Sequence, residues 1–225
     1  MSYSDKEIIV ITGASSGIGK AIGHELKDNY EIINISRDKS DFHDLECDIS
    51  DAGDLNYTID VLYQLLDEQK IAYLINNAGI MPLEPDSAEL YNLVMNTNLR
   101  SAYILSTRLA SSIEGGIINI SSISSHKCAT PDDSIAYGIS KAGINALTNY
   151  MAYKYPKLKV NVILPGFIRP TNLVPGDTPK ELVDSIPMGR EGSVREVANL
   201  VRFLVKYNYY ITGQEIAIDG GLSLR

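Results

Sequence analysis

Glu7-Ile8-Ile9-Val10-Ile11 leads directly into Thr12-Gly13-Ala14-Ser15-Ser16-Gly17-Ile18-Gly19, and this junction decides the fold. The β-branched apolar run reads as a buried strand. The glycines after it open a helical pattern in which Ile18, Ala21, Ile22 and Leu26 share one face. Strand, glycine-rich turn and helix in that order make a phosphate cradle. Gly13 permits the tight turn, Gly17 lets backbone approach a pyrophosphate without a Cβ in the way, and Gly19 lets the helix pack closely on the strand. The helix N-terminal N–H groups and dipole then favour the phosphate charge. Ser15, Ser16 and Ile18, within the same turn, join the glycines as candidate cofactor-binding residues. A purely structural turn rarely needs three glycines in seven residues, so the turn is read as nucleotide-binding.

Outward from this junction the alternation continues. Glu31–Ile35, Leu45–Cys47, Ala72–Asn76, Gly116–Ile120, Lys159–Leu164 and Glu215–Ile218 read as further strands. Between them lie helix-period sets such as Leu55, Ile59, Leu62 and Leu66, and Val197, Leu200, Val201 and Leu204. This predicts an α/β protein, a parallel sheet wrapped by helices, with the apolar sets as core. At 225 residues the chain fits one domain, 1–225. With 44% apolar and 21% charged positions it is too hydrophobic for wholesale disorder. The turn-rich stretch Pro165–Pro187 is too long for a simple crossover and predicts a substrate lid over about 166–190. Its apolar residues Phe167, Leu173, Val174, Leu182, Val183, Ile186 and Met188 suit a cover or core packing equally.

Several classes are excluded. The net charge is −8 and Lys and Arg form no cluster, which argues against nucleic-acid binding. Apolar runs fall far short of the ~20 residues a membrane helix needs, and nothing after Met1 reads as a secretory signal, so the cytoplasm is expected. Cys47 and Cys128 make no disulfide framework. Neither they nor His24, His43 and His126 show metal-ligand spacing, so no metal is expected.

Further motifs follow in order: Asp48, Asn76-Asn77-Ala78-Gly79, Asn98, a serine near 122, Tyr137-x3-Lys141, Pro165-Gly166 and Asp219-Gly220-Gly221. Together with Thr12–Gly19 this set resembles the short-chain dehydrogenase/reductase family in its compact single-domain form, over nearly the whole chain. The resemblance implies a doubly wound Rossmann-type sheet of seven parallel strands, ordered 3-2-1-4-5-6-7, with helices on both faces.

In nicotinamide enzymes of this fold, the end of the second strand senses the adenosine ribose: an acid bonds the 2′-hydroxyl, or an Arg accommodates a 2′-phosphate. Here the chain reads Ser36-Arg37-Asp38. By the family pattern Ser36 stands where NAD-preferring members carry the acid, and Arg37 where NADP-preferring members carry a base. A guanidinium forms forked, charge-assisted bonds to phosphate, and Ser36 leaves room and adds a hydroxyl. NADP(H) is therefore expected, with NAD(H) as the alternative because Asp38 lies one position on. The resemblance also implies that Asp48 and Ile49 contact the adenine and that Asn77, Ala78 and Gly79 support the adenosine side. It puts Pro165, Gly166 and Ile168 beneath the nicotinamide, where Thr171 comes one residue later than the pattern.

Tyr137-Gly138-Ile139-Ser140-Lys141 puts a phenol and an ammonium four apart, on one helix face. A nearby ammonium favours the phenolate, which makes Tyr137 the expected acid for ketone reduction and base for alcohol oxidation. By resemblance Lys141 also grips the nicotinamide ribose. Strand register selects Ser122 as the residue that steadies charge on the substrate oxygen. The family's usual separation from the tyrosine selects Ser124 as the alternative. Asn98 resembles the family's helix asparagine, whose backbone carbonyl holds a water joined to Lys141; Asn96 lies two residues away.

The expected activity is NADP(H)-dependent hydride transfer between nicotinamide and a small-molecule carbonyl or secondary alcohol. The alternative is an NADP(H)-binding redox-sensing regulator, although such relatives typically lose the Tyr or Lys. A nucleotide-sugar epimerase would need a longer C-terminal region than the stretch after the sixth strand provides. The family likeness also implies a homodimer or homotetramer, formed through the segments Asn98–Ser112 and Tyr137–Tyr155.

Overall fold

The computed structural model describes residues 6–84, 87–126, 135–171, 173 and 178–224. Cys128 and the lid residues Val174 and Pro175 lie outside that set. Seven parallel strands form one sheet among the described residues: β1 (Glu7–Thr12), β2 (Tyr30–Ser36), β3 (His43–Glu46), β4 (Ile71–Asn76), β5 (Ile113–Ile120), β6 (Lys159–Pro165) and β7 (Glu215–Ile218). Their order is 3-2-1-4-5-6-7, as the resemblance implies.

Helices cover both faces. On one side α1 (Gly17–Leu26) and α7 (Val194–Lys206) bury Ile22, Leu26, Val201 and Leu204 against Ile9, Ile11 and Ile75. On the other, α2 (Ala52–Leu66), α4 (Ser101–Leu109) and α5 (Ile135–Lys154) bury Leu55, Ile59, Leu105 and Ile144 against Val10, Leu74 and Ile117. Strands buried on both faces read as continuous apolar runs rather than alternating ones, which is why β1 and β4 are so rich in isoleucine. Burial of each such side chain contributes about 1.5–3 kcal/mol.

Two expectations are corrected. The segment Asn98–Ser112 is not one helix. It takes in the end of a π-helical turn at Asn96–Arg100, which follows α3 (Ala88–Met95), then α4 and a short 3₁₀ turn at Ala110–Ser112. Strand β5 begins at Ile113 rather than Gly116, because Gly115 and Gly116 are strand residues where backbone comes close. A Cβ on Gly115 would fall 2.5 Å from the Ala72 carbonyl oxygen, and one on Gly116 2.0 Å from that of Lys159.

A polar thread crosses the core. Asn76 Nδ2 donates to Ser106 Oγ (3.0 Å) and Asn119 Oδ1 (2.8 Å), Asn119 Nδ2 donates to Thr148 Oγ1 (2.8 Å), and that hydroxyl donates to the Ile144 carbonyl (2.9 Å). It joins β4, β5, α4 and α5. Strand order reverses between β1 and β4, and ligands in doubly wound sheets bind outside the strand carboxyl ends at such a switch point.

Candidate active site

The glycine-rich turn leaves β1 at this switch point. Gly13 has φ +73° and Gly17 φ +52°, conformations that L side chains resist. A Cβ on Gly19 would lie 2.2 Å from the Gly13 carbonyl oxygen, so helix and turn meet only because it is glycine. Thr12 Oγ1 accepts from the Asn77 and Ala78 N–H groups at 3.0 Å each, and Asn77 Nδ2 donates to the Thr12 and Gly13 carbonyls. The turns after β1 and β4 are thereby bolted together. Helices α2, α3 and α7 are capped by the side chains of Asp51, Ser87 and Ser193, whereas Ser16 at the head of α1 makes no such bond. Among the described residues no side chain accepts from the first N–H groups of α1, beside half-buried Ser15, Ser16 and Ile18. A pyrophosphate fits that vacancy of partners.

At the end of β2, Ser36 is half-buried while Arg37 and Asp38 are exposed. Asp48 accepts from the Ser50 hydroxyl (2.7 Å) and N–H (2.9 Å). Those bonds hold its carboxyl below the usual range, and the Arg37 guanidinium acts in the same direction. Arg37 and Asp48 therefore feel each other across the strand ends, with Ile49 buried alongside. Sequence reasoning missed Asn34, fully buried in β2 and bonded to Ala14, Ser36 and Asp44. The signal was there: an amide between Ile33 and Ile35 in a two-sided apolar strand must find partners. It also missed Arg100, which donates from the π turn to the Ser50 carbonyl and ties that turn to the Asp48 loop.

Tyr137, Lys141, Asn98 and Ser122 are all buried and come together beyond the ends of β4 and β5. Lys141 Nζ donates to the Ile120 carbonyl (2.9 Å) and lies 5.6 Å from the Tyr137 ring centroid. Tyr137 hydrogen-bonds Ser122. Ser122 Oγ accepts from the Ser124 N–H (3.1 Å) at the head of a short 3₁₀ turn, with the Ser124 hydroxyl 3.2 Å away. Asn98 grips the backbone of one residue by both its polar groups: its Oδ1 accepts from Ile80 N–H (2.8 Å) and its Nδ2 donates to the Ile80 carbonyl (2.9 Å). Nδ2 also donates to Ser140 Oγ (3.0 Å), which donates to the Tyr137 carbonyl (2.7 Å). The π turn that carries Asn98 is a local device common at functional sites. Gly79 lies over the group, where a Cβ would stand 3.2 Å from Asn98 Oδ1 and 3.3 Å from Lys141 Nζ.

Electrostatics differ from the expectation that Lys141 acidifies the phenol. Burial pushes Tyr137 up to about 12, the Ser122 bond acting the other way, and burial pulls Lys141 down to about 8. Taking both groups out of water disfavours both charged forms, and here that outweighs their attraction. Burial thus keeps the phenol protonated and makes the Lys141 amine a weaker base than an exposed lysine.

Pro165 and Gly166 end β6 against Asp219; a Cβ on Gly166 would fall 2.8 Å from the Asp219 Cβ. Asp219 accepts from the Gly221 N–H (2.9 Å) and Ser223 N–H (2.7 Å), which fixes the last turn. Ile168 is buried and Ile168–Arg169 pairs with Gly192–Ser193 as a two-residue ribbon. Thr171 sits against Gly17, its Cα 3.8 Å from where a Cβ there would be, so the chain after β6 passes over the glycine-rich turn. Beyond it, α6 (Lys180–Ser185) leads to buried Ile186, with Leu173, Leu182 and Met188 exposed. Among the described residues no three His, Cys, Asp or Glu side chains are grouped to hold a metal; His126 bonds Glu215 and His24 bonds Asp41.

Known proteins resemble this chain over nearly its whole length. The family model described as enoyl-(acyl carrier protein) reductase matches residues 13–223. Carbonyl reductase family member 4 of Xenopus tropicalis is 33% identical, over 97% of this chain and 99% of its own. The 3-oxoacyl-[acyl-carrier-protein] reductase FabG of Buchnera aphidicola is 31% identical, over 96% and 97%. Among solved structures, 4-hydroxyisoleucine dehydrogenase complexed with NADH superposes with a TM-score of 0.85 at 29% identity, covering 98% of this chain and all of the other. A blue fluorescent protein from a metagenomic library in complex with NADPH gives 0.87 at 26% identity, over 96% and 97%.

Proposed function

The chain belongs to the short-chain dehydrogenase/reductase family of oxidoreductases, and from that premise we propose that it is an NADP(H)-dependent enzyme interconverting a carbonyl and a secondary alcohol. Gly13, Ser15, Ser16, Gly17, Ile18 and Gly19 would hold the pyrophosphate, and the uncapped head of α1 supports this. Asp48, Ile49, Asn77, Ala78 and Gly79 would flank the adenosine, and Pro165, Gly166 and Ile168 the nicotinamide. Structural neighbours bound to NADH and to NADPH support a nicotinamide coenzyme. Arg37, exposed at the end of β2, supports the phosphorylated form. When bound, the coenzyme supplies or accepts the hydride.

The rest falls to this chain's own side chains. Tyr137 gives its hydroxyl proton to the carbonyl oxygen in reduction and takes one back in oxidation. Ser122 donates to the same oxygen as charge develops there. Lys141 orients the coenzyme ribose and returns a proton to Tyr137, and Asn98 fixes the Ile80 peptide beside them. Burial keeps the phenol protonated at neutral pH, ready to donate. The observation that carries this reading is the buried Tyr137–Ser122 hydrogen bond with Lys141 alongside.

In this reading 1–225 is one catalytic domain, and the segment 166–190 covers a small-molecule substrate. Homodimers or homotetramers would form through α4 and α5, whose exposed Tyr103, Ile139 and Tyr150 lie on these two helices near a groove of about 360 Å³. No described helix is long and apolar enough to cross a membrane, and a cytoplasmic location is proposed. The test is NADPH oxidation against a panel of ketones and diketones. Tyr137→Phe should lose about 100-fold or more in kcat while still binding NADPH. Wild-type turnover in that variant refutes the reading.

A further inference from the structure

The polar cluster at the end of β2 bears on coenzyme choice, and the inference rests on the nicotinamide reading above. Asn34 is fully buried and its amide orientation is forced. The Ala14 N–H can only donate, so the atom facing it at 2.7 Å is Oδ1. Both Nδ2 hydrogens must then point elsewhere, to Asp44 Oδ1 (2.8 Å) and Ser36 Oγ (2.9 Å). Asp44 is fixed in turn by Ser40, whose N–H and hydroxyl donate to its two oxygens at 3.0 and 2.5 Å. Burial would raise the Asp44 carboxyl, but the bonds from Asn34 and Ser40 outweigh it and hold it below the usual range, so it accepts only.

Ser36 has a single proton, and that proton goes to the Asp38 carbonyl at 2.6 Å, a group that can only accept. One lone pair of Ser36 takes the Asn34 hydrogen. One lone pair is left, and no donor. The end of the second strand, about 20 residues beyond the glycine-rich turn, is where this fold meets the ribose 2′ substituent. A remaining lone pair can accept from a 2′-hydroxyl but repels a phosphate oxygen.

We propose that Asn34 and the Asp38 carbonyl together make Ser36 a hydrogen-bond acceptor toward the ribose 2′ position, so that Ser36 favours NAD(H) and selectivity for NADP(H) rests on Arg37 alone. The hydroxyl then acts against the guanidinium beside it and narrows the preference for NADP(H). This reverses the sign expected from the sequence, where Ser36 counted with Arg37 as a partner of the phosphate.

Isothermal titration of NADPH and of NADH into the full chain reads the effect without any substrate. Ser36→Ala removes the acceptor, so the ratio Kd(NADH)/Kd(NADPH) should rise about fivefold. Ser36→Cys, which keeps the bulk but accepts weakly, should move the ratio the same way. Arg37→Ala should lower the ratio about tenfold or more. A fall in the Ser36→Ala ratio would mean that the hydroxyl donates to the phosphate. A change within twofold would mean that it serves structure only, and either result overturns the proposal. Wild-type protein that binds neither coenzyme at millimolar concentration would instead sink the nicotinamide reading itself, and the proposal with it.

Discussion

Replacing Gly79 with alanine would test the convergence of the buried group at one atom. The Gly79 backbone does not need a left-handed conformation, so alanine can adopt it and the perturbation is contact alone. The new methyl would stand 3.2 Å from Asn98 Oδ1 and 3.3 Å from Lys141 Nζ, tighter than such contacts normally are. Neither neighbour gives freely, because Asn98 is pinned to the Ile80 N–H and carbonyl and Lys141 to the Ile120 carbonyl. The strain is relieved by shifting the two groups by a few tenths of an ångström. A misplacement of 1 Å can cost about 100-fold in rate, so this smaller shift should cost about 3- to 10-fold in kcat. Stability should hardly move. Gly→Ala in a permitted conformation gains about 0.4–1 kcal/mol through the unfolded chain, which offsets the crowding. At this chain length the expected change in Tm is within about 3 °C. Steady-state NADPH oxidation with the best ketone and a thermal melt of the same preparation give both numbers. If kcat stays within twofold of wild type, Lys141 and Asn98 do not act where Gly79 meets them, and the reasoning fails.

Three further outcomes are expected. Asn98→Ala strips partners from the half-buried Ile80 N–H and carbonyl; leaving a fully buried group unpaired costs about 1–3 kcal/mol, and two half-buried ones about as much together or a little more. Calorimetry should show Tm lower by about 5–15 °C, and a drop under 3 °C would contradict the clamp. Burial holds Lys141 at about 8 against an ordinary 10.5, so between those pH values the unfolded chain binds more protons than the folded one. Wild-type stability should therefore rise relative to Lys141→Met from pH 8 to 10.5 in urea titrations; a flat difference would refute the desolvated ammonium. Glu196, in the capping box of α7, is held at about 2 by Arg190 first and by Ser193 next, against an ordinary 4.5. Its contribution is fully present above pH 4.5 and lost as pH falls through 2, so Glu196→Gln should melt a few degrees lower at pH 7, with the gap closing toward pH 2.

The strands were legible because a sheet covered on both faces writes itself as unbroken β-branched runs, and the junction at Thr12–Gly19 set the crossover. What escaped was held by contacts between distant segments. The π turn at Asn96–Arg100 leaves no trace in apolar period, since it exists through Asn98 reaching Ile80 and Arg100 reaching Ser50. Gly115 fell outside the strand expected from Gly116 onward, yet it is a strand residue crowded by the Ala72 carbonyl and the Tyr73 ring. In the site, Tyr137, Lys141, Asn98 and Ser122 were legible from spacing and resemblance, and the structure brings them together. Their proton affinities were not, because spacing reveals a neighbouring charge but says nothing of how completely the fold excludes water.

The polar thread from Asn76 to Ile144 has a direction. Its final carbonyl can only accept a hydrogen bond, which compels Thr148 to donate one, then Asn119, then Asn76, back to the neighbouring strand. Such a one-way series carries no net charge and has no second arrangement, so changes in acidity leave it alone. The helices bearing Asn98's neighbours and Tyr137 are strung on it like beads. A mutation at any bead would be felt as slack at both rims of the cleft, even where it touches neither.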